Sequence, residues 1–287
     1  MIPASFDYDK PASLDEALAL LAVHGDEARV LAGGQTLLTQ LKTRTVTPRL
    51  VIDLSGIDDL RRVRREDGAV TIGALVTQAQ VLDSEGLRRS FPIFDIDPAM
   101  LGDPVIRERG TVVGSLAAAH PAADWTAIAL ALDASIHVVS SSDTRTIPAD
   151  QFLTGAGTTL LRADELITHV SIPVIDRPRA MAYQALRLAT SDYARVGVAV
   201  VVEHVNHRDC TSCRIAITGL GQHATRARGA EAVLIDEGDT ANAITDAADR
   251  AAEDVDGSGD STIPPDYRAH LARVYTARAL TAATTHP

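Results

Sequence analysis

Two glycine-bearing stretches carry the chemistry that can be read from this chain of 287 residues. The first is Leu31-Ala32-Gly33-Gly34-Gln35-Thr36-Leu37-Leu38, which follows the apolar run Ala28-Arg29-Val30-Leu31. A strand that breaks at two glycines and restarts as a helix brings bare backbone and free N–H groups to one place, an arrangement that cradles phosphate. The second is Arg109-Gly110-Thr111-Val112-Val113-Gly114-Ser115-Leu116, followed by His120-Pro121-Ala122-Ala123-Asp124. Small residues, hydroxyls and a carboxylate at a helix start again suit a meeting of backbone and ligand. One such loop is equally a tight turn. Two of them in one α/β region, with few candidate acids and bases between, favour a large phosphate-bearing cofactor. Neither stretch is GxGxxG, which disfavours a Rossmann site, and no Gly-Lys-Ser/Thr of the Walker type occurs.

Three further groups carry less. His204, His207, Cys210 and Cys213 form H-x2-H-x2-C-x2-C, with ligand types that suit zinc. They span a predicted hairpin, where an offset of three puts side chains on opposite faces of a strand. A solvated hairpin tip is the first reading; a structural metal and a Cys210/Cys213 redox pair are the alternatives. His120 sits where a general base could act, although packing or a phosphate contact explains it more simply. Asp58-Asp59 with Arg61-Arg62 and Arg64-Arg65 reads as a solvated turn, or else as a docking patch for an acidic partner.

The elements that must position these residues follow from periodicity and caps. Ser13-Leu14-Asp15-Glu16 is a capping box opening a helix through Leu14, Ala17, Leu18 and Leu21 to about Gly25. Val30–Leu31, a short helix from Gln35 to Lys42, and the strand Arg49–Leu54 follow. Ala69–Ala74 is a strand, and Thr77 caps a short helix. Residues 91–123 read as ordered loop. Asp124 is placed to cap a helix Trp125–Leu132, ahead of strands Ser135–Ser140 and Glu165–Ile172. Pro173 to Arg179 is the best domain boundary. Beyond it Ala180–Leu188, Val196–Val205 and Arg214–Gly219 alternate like an antiparallel meander. Helices Arg226–Ile235, Thr240–Glu253 and Pro265–Ala282 come last, with Asp254–Ser261 a flexible loop. Strands followed by helices indicate an α+β segment.

Composition narrows the function classes. The hydrophobic share is 46% and the charged share 23%, ordinary for a folded globule. The net charge of −11 argues against nucleic acid and against an anionic membrane surface. Of the 27 basic residues only Lys10 and Lys42 are lysine. The N-terminal stretch has no signal pattern and no apolar run suggests a span, so the expectation is a cytoplasmic protein. Two cysteines are too few for a disulfide framework.

The ordered set of motifs resembles the flavin-binding medium subunit of the molybdenum hydroxylases, the xanthine dehydrogenase and carbon monoxide dehydrogenase group. It comprises Phe6-Asp7-Tyr8 with Pro11, Leu31 to Leu38, Val51-Ile52-Asp53-Leu54, Ile72-Gly73-Ala74 and Asp103-Pro104-Val105-Ile106-Arg107 with Arg109-Gly110-Thr111. It continues with Pro121-Ala122-Ala123-Asp124, Glu165-Leu166-Ile167 and Ser191-Asp192-Tyr193-Ala194. The resemblance implies an α+β protein. A two-lobed FAD-binding α/β domain of PCMH type would span 1–175, with lobes of about 1–55 and 56–175. A C-terminal domain of antiparallel sheet plus helices would span 176–287.

It also implies that Leu31 and Ala32 through Gly33, Gly34, Gln35 and Thr36 to Leu37 wrap the FAD pyrophosphate. Thr111, Gly114, Ser115, Ala123 and Asp124 would contact the pyrophosphate and ribityl region. Leu101 and Leu166 would lie near the isoalloxazine, with Tyr193 over its face. Electrons would pass from a molybdenum subunit through a [2Fe–2S] subunit to FAD and on to an acceptor, within a heterotrimer that dimerises. Two cysteines cannot hold a cluster that needs four thiolates, so the clusters would belong to a partner. No catalytic acid or base and no metal is implied for this chain.

The chain departs from the family pattern at Val113, Ser115, Ala118, His120 and Ala185. Each change removes a polar partner of FAD or a glycine. Val113 disfavours positive φ, which predicts an extended position or a reshaped loop. A stand-alone flavin oxidoreductase and a scaffold that has lost flavin are the alternatives.

Overall fold

The computed structural model describes residues 2–190, 192–205, 209–255 and 263–285. The chain opens with strand β1 (Asp7–Asp9), helix α1 (Leu14–His24), strand β2 (Ala28–Leu31), helix α2 (Leu37–Thr43) and strand β3 (Leu50–Asp53). The three strands form a parallel sheet in the order β1-β3-β2. The central strand reads Leu-Val-Ile because Leu50, Val51 and Ile52 are all buried. Ser13 caps α1 by accepting from the Glu16 N–H at 3.2 Å. The return bond of the expected capping box lands elsewhere: the Glu16 carboxylate accepts from Ala12 N–H, at 2.8 Å, and not from Ser13. Ala17, Leu18 and Leu21 form the buried stripe of α1.

The next part runs β4 (Val63–Glu66), β5 (Ala69–Gly73), α3 (Gln78–Asp83), α4 (Glu85–Ser90), α5 (Pro104–Arg109), α6 (Val112–Ala118) and α7 (Asp124–Ala131). It continues with β6 (Ser135–Val139), β7 (Thr144–Pro148), α8 (Ala149–Phe152), β8 (Leu153–Gly155), β9 (Thr158–Thr159) and β10 (Leu166–Pro173). Five strands form an antiparallel sheet in the order β4-β5-β10-β6-β7. Thr77 caps α3 with a complete capping box to Gln80. The expectation of loop over residues 91–123 is corrected. Asp103 caps α5 with proline in its first turn, and Thr111 caps α6. These helices are too short to show a period in sequence. The acidic and basic residues near Asp58 remain solvated, with Arg61 and Arg62 paired to Asp58 and Asp59 at 3.6 and 2.8 Å. The arginines that follow lie on or beside the exposed strand β4.

The C-terminal part is a four-stranded antiparallel sheet of β11 (Arg179–Leu186), β12 (Val196–Val205), β13 (Asp209–Thr218) and β14 (Thr225–Arg226), in that order. Helices α9 (Arg228–Glu237), α10 (Ala241–Asp254) and α11 (Pro265–Thr285) follow. Strand β12 is buried on both faces. Val196, Val198, Val200 and Val202 pack under these helices, whereas Ala199 and Val201 join the core that contains α7. The sheet is therefore a wall shared by two cores, and it holds the loops at its edge against the N-terminal part. The flexible loop expected at Asp254–Ser261 falls largely outside the described residues. No helix among them is long and apolar enough to cross a membrane.

Candidate functional site

The first glycine stretch forms the turn predicted for it. Strand β2 ends at Leu31, Gly34 turns with φ +76°, and α2 begins at Leu37. The carbonyls of Gly34 and Thr36 accept from Leu38 and Gln40, both at 3.1 Å. The N–H groups of Gly33 through Leu37 meet no acceptor among the described residues. Five successive unpaired donors suit a diphosphate.

Gly33 has a different reason to be glycine from the one the sequence suggests. A Cβ there would lie 2.0 Å from the Arg109 carbonyl oxygen and 2.9 Å from Gly110 Cα. Backbone of the second stretch, not a ligand, occupies that space. The two stretches far apart in sequence are thus one structure.

The second stretch braces the fold through its own backbone. Gly110 N–H donates to Ile106 at 2.6 Å, Val112 N–H to Val76 at 3.3 Å and Ser115 N–H to Thr111 O at 3.1 Å. Thr111 Oγ accepts from Gly114 N–H at 3.0 Å, and a Cβ on Gly114 would sit 2.6 Å from that oxygen. Gly114 therefore serves the helix cap. Val113 is neither extended nor at positive φ. It lies within α6 and buries its side chain in the core. The part-exposed Ser115 hydroxyl has no partner among the described residues and remains available to a ligand.

Asp124 does not cap a helix. It is the first residue of α7, whose N-cap Ala123 makes no side-chain bond. The carboxylate is buried, accepts from the Tyr183 hydroxyl and lies 2.5 Å from Arg187 Nη2. Burial raises its pKa, against the opposing pull of Arg187 and Tyr183. Burial and the Asp124 charge push the Tyr183 phenol well up. Arg187 also donates from Nε to the Met100 carbonyl at 2.9 Å and from Nη1 to the Asp192 carbonyl. Sequence reading missed Arg187. Its one signal is a cation just after an alternating apolar strand, close ahead of Ser191-Asp192-Tyr193.

Beside this cluster lies a cleft of about 540 Å³, walled by His120, Asp192, Tyr193, Arg195, Gly219 and Gln222 among others. It forms where Pro121 is gripped from the C-terminal sheet: its carbonyl accepts from Thr218 Oγ at 2.8 Å and from Gly219 N–H at 2.9 Å. The His120 ring stacks on Tyr193 at 3.7 Å between centroids and 8° between planes. His120 Nδ1 accepts from Ala122 N–H at 3.2 Å, and burial lowers the imidazole pKa. The geometry is that of a packing residue. Tyr193 is exposed, while the side chains of Leu101, Ala123 and Leu166 are buried. Leu101 adjoins Met100 and so the Arg187 cluster. Leu166 pairs with Val139 in the sheet and is not part of the cleft wall. Residues 31–37 are not part of it either.

The histidine and cysteine group departs from the expected solvated tip. Glu203 pairs with Ser212 and His204 with Cys210, so Thr211 is an extra residue on β13. This bulge returns Cys210 and Cys213 to one face, where both are buried and Cys210 Sγ donates to the Ser212 carbonyl at 3.6 Å. The neighbouring Cys213 thiol lowers the Cys210 pKa, whereas the Cys210 thiol and burial raise that of Cys213. His204 Nε2 lies 2.9 Å from Asp239. His207 is outside the described residues, and among the rest no group of three or more His, Cys, Asp or Glu can hold a metal.

A glycine loop beside a parallel sheet, a five-stranded antiparallel sheet and a C-terminal antiparallel sheet covered by helices together suit a class of flavoprotein. The FAD binding domain in molybdopterin dehydrogenase matches residues 4–175, and the CO dehydrogenase flavoprotein C-terminal domain matches residues 181–283. The carbon monoxide dehydrogenase medium chain of Hydrogenophaga pseudoflava is 34% identical over 99% of this chain and 98% of its own. The 6-hydroxypseudooxynicotine dehydrogenase complex subunit alpha of Paenarthrobacter nicotinovorans is 34% identical over 98% and 95%. In the reconstituted CO dehydrogenase from Oligotropha carboxidovorans, a chain superposes with a TM-score of 0.95 at 33% identity, covering 100% of both. The chain belongs to the family of FAD-binding medium subunits of molybdenum hydroxylases, and its cofactor is FAD.

Proposed function

We propose that this chain carries FAD as the electron-transfer subunit of a heterotrimeric molybdenum hydroxylase. Its partners are a molybdenum-cofactor large subunit and a [2Fe–2S] small subunit, in an assembly that dimerises in the cytoplasm. Residues 1–175 form the FAD-binding domain, with lobes 1–55 and 56–175, and residues 176–287 the C-terminal domain. The observation that carries this reading is the row of five unpaired N–H groups from Gly33 to Leu37, backed by Arg109 and Gly110. These donors, with Leu31 and Ala32 leading in, hold the pyrophosphate. Thr111, Gly114, Ser115, Ala123 and Asp124 line the next part of the cofactor. Leu101, Leu166 and Tyr193 lie about its ring. Bound FAD supplies one- and two-electron redox chemistry, which this chain positions without an acid or base of its own.

The test is purification from the native host, with absorbance and metal analysis. Yellow protein eluting with iron–sulfur and molybdenum chains is the expected result. Yellow protein alone, redox-active with small metabolites, would make it a stand-alone oxidoreductase. Protein that stays colourless with added FAD would refute the cofactor assignment.

A further inference from the structure

Arg187 follows the last residue of β11 and turns its side chain inward, where it is 8% exposed. Its nitrogens meet three separate segments. Nε bonds the Met100 carbonyl, next to Leu101; Nη1 bonds the Asp192 carbonyl, next to Tyr193; Nη2 pairs with Asp124 at the start of α7. The anchor is itself fixed. Asp124 accepts from Tyr183, and Tyr183 is packed so tightly that a Cβ on Gly197 would lie 2.1 Å from its hydroxyl. A guanidinium is planar, with its donors in a rigid fork, so the spacing of the segments it bonds is set by one stiff group. His120 supports the Tyr193 ring from its face, and its Nδ1 accepts from Ala122 N–H and not from the Met100 segment.

We propose that Arg187 is a positioning residue that fixes the Leu101 and Tyr193 segments relative to each other and so sets how open the flavin ring is to small solutes. This rests on the reading above, in which the ring lies between those two segments. Arg187 acts through backbone carbonyls. The role requires the fork: lysine keeps a cation beside Asp124, but one ammonium on a flexible stem does not hold both carbonyls in fixed geometry.

The experiment compares the full chain with Arg187→Lys and Arg187→Gln, each reconstituted with FAD. Either variant that folds is sufficient, and glutamine keeps a donor for Asp124 so that the carboxylate is not left bare. The readouts are FAD stoichiometry, iodide quenching of flavin fluorescence, and hydrogen exchange of amides 100–103 and 192–195 in the FAD-free chain. The expected result is unchanged stoichiometry, a Stern–Volmer constant raised about threefold, and exchange about tenfold faster in both segments together, with β12 unaffected. Faster exchange with unchanged quenching would make Arg187 a support of the fold alone and overturn its role at the ring. Unchanged quenching and exchange would overturn the proposal outright. A yellow wild type with such variants refutes only this inference, whereas a wild type that takes up no FAD refutes the cofactor reading and this inference with it.

Discussion

Gly33 and Arg109 touch so closely that one methyl group on Gly33 would fall 2.0 Å from the Arg109 carbonyl oxygen. Backbone cannot give way as a flexible side chain can. Gly33→Ala is expected to cost about 1–3 kcal/mol of stability through overpacking, and to lower FAD occupancy by parting the two loops. Gly34→Ala should cost about 1–2 kcal/mol for a different reason, its positive φ. Urea unfolding with bound-flavin absorbance measures both. An unperturbed Gly33→Ala protein would show that the loops do not depend on this contact.

Val113, where the resemblance leads to the expectation of glycine, is a core residue in a helix. Val113→Gly should destabilise the protein by about 3 kcal/mol, from about 1 for glycine in a helix and about 2 for the lost burial. The FAD dissociation constant should not change once the protein is folded. Tighter binding on restoring the glycine would return Val113 to the cofactor site.

Tyr183 and Gly197 should couple. Tyr183→Phe removes the hydroxyl that Asp124 accepts from, at about 1–3 kcal/mol. Gly197→Ala drives a methyl group into that hydroxyl and should cost about as much. In the double variant the clash with oxygen is gone, so the combined loss should fall short of the sum by about 1 kcal/mol. Simple additivity in denaturant titrations would place the methyl group elsewhere.

His137 and His169 lie opposite each other on β6 and β10, with rings stacked at 4.1 Å. Burial, with His137 and Arg64 nearby, lowers the His169 pKa to about 4. The fold therefore favours neutral imidazole, and the unfolded chain takes up the proton first, at about pH 6.5. The His169 contribution is complete above about pH 6.5 and is lost progressively as pH falls towards 4. His169→Gln should flatten the fall in urea midpoint between these limits. An unchanged slope would assign it to other groups.

Cys210 and Cys213 are 5% and 3% exposed. A thiol reagent should label neither in the native protein and both in urea. Rapid native labelling would mean that the bulged end of the hairpin opens.

The sequence alone determined the local parts of this protein. The glycine pair between strand and helix, the caps at Ser13 and Thr77, the valine-rich strand β12 and the final helices follow from period, propensity and cap chemistry, which act over a few residues. The motif order also sufficed to indicate the family. Tertiary structure decided what those residues face. It put Arg109 against Gly33, made Gly114 a servant of its own helix cap, and turned Asp124 from a helix cap into the buried partner of Tyr183 and Arg187. One extra residue in β13 placed the two cysteines on one face, where strict alternation separates them. Each of these depends on contacts between distant segments or on strand register, which are set by packing of the whole core and leave no periodic trace in the sequence.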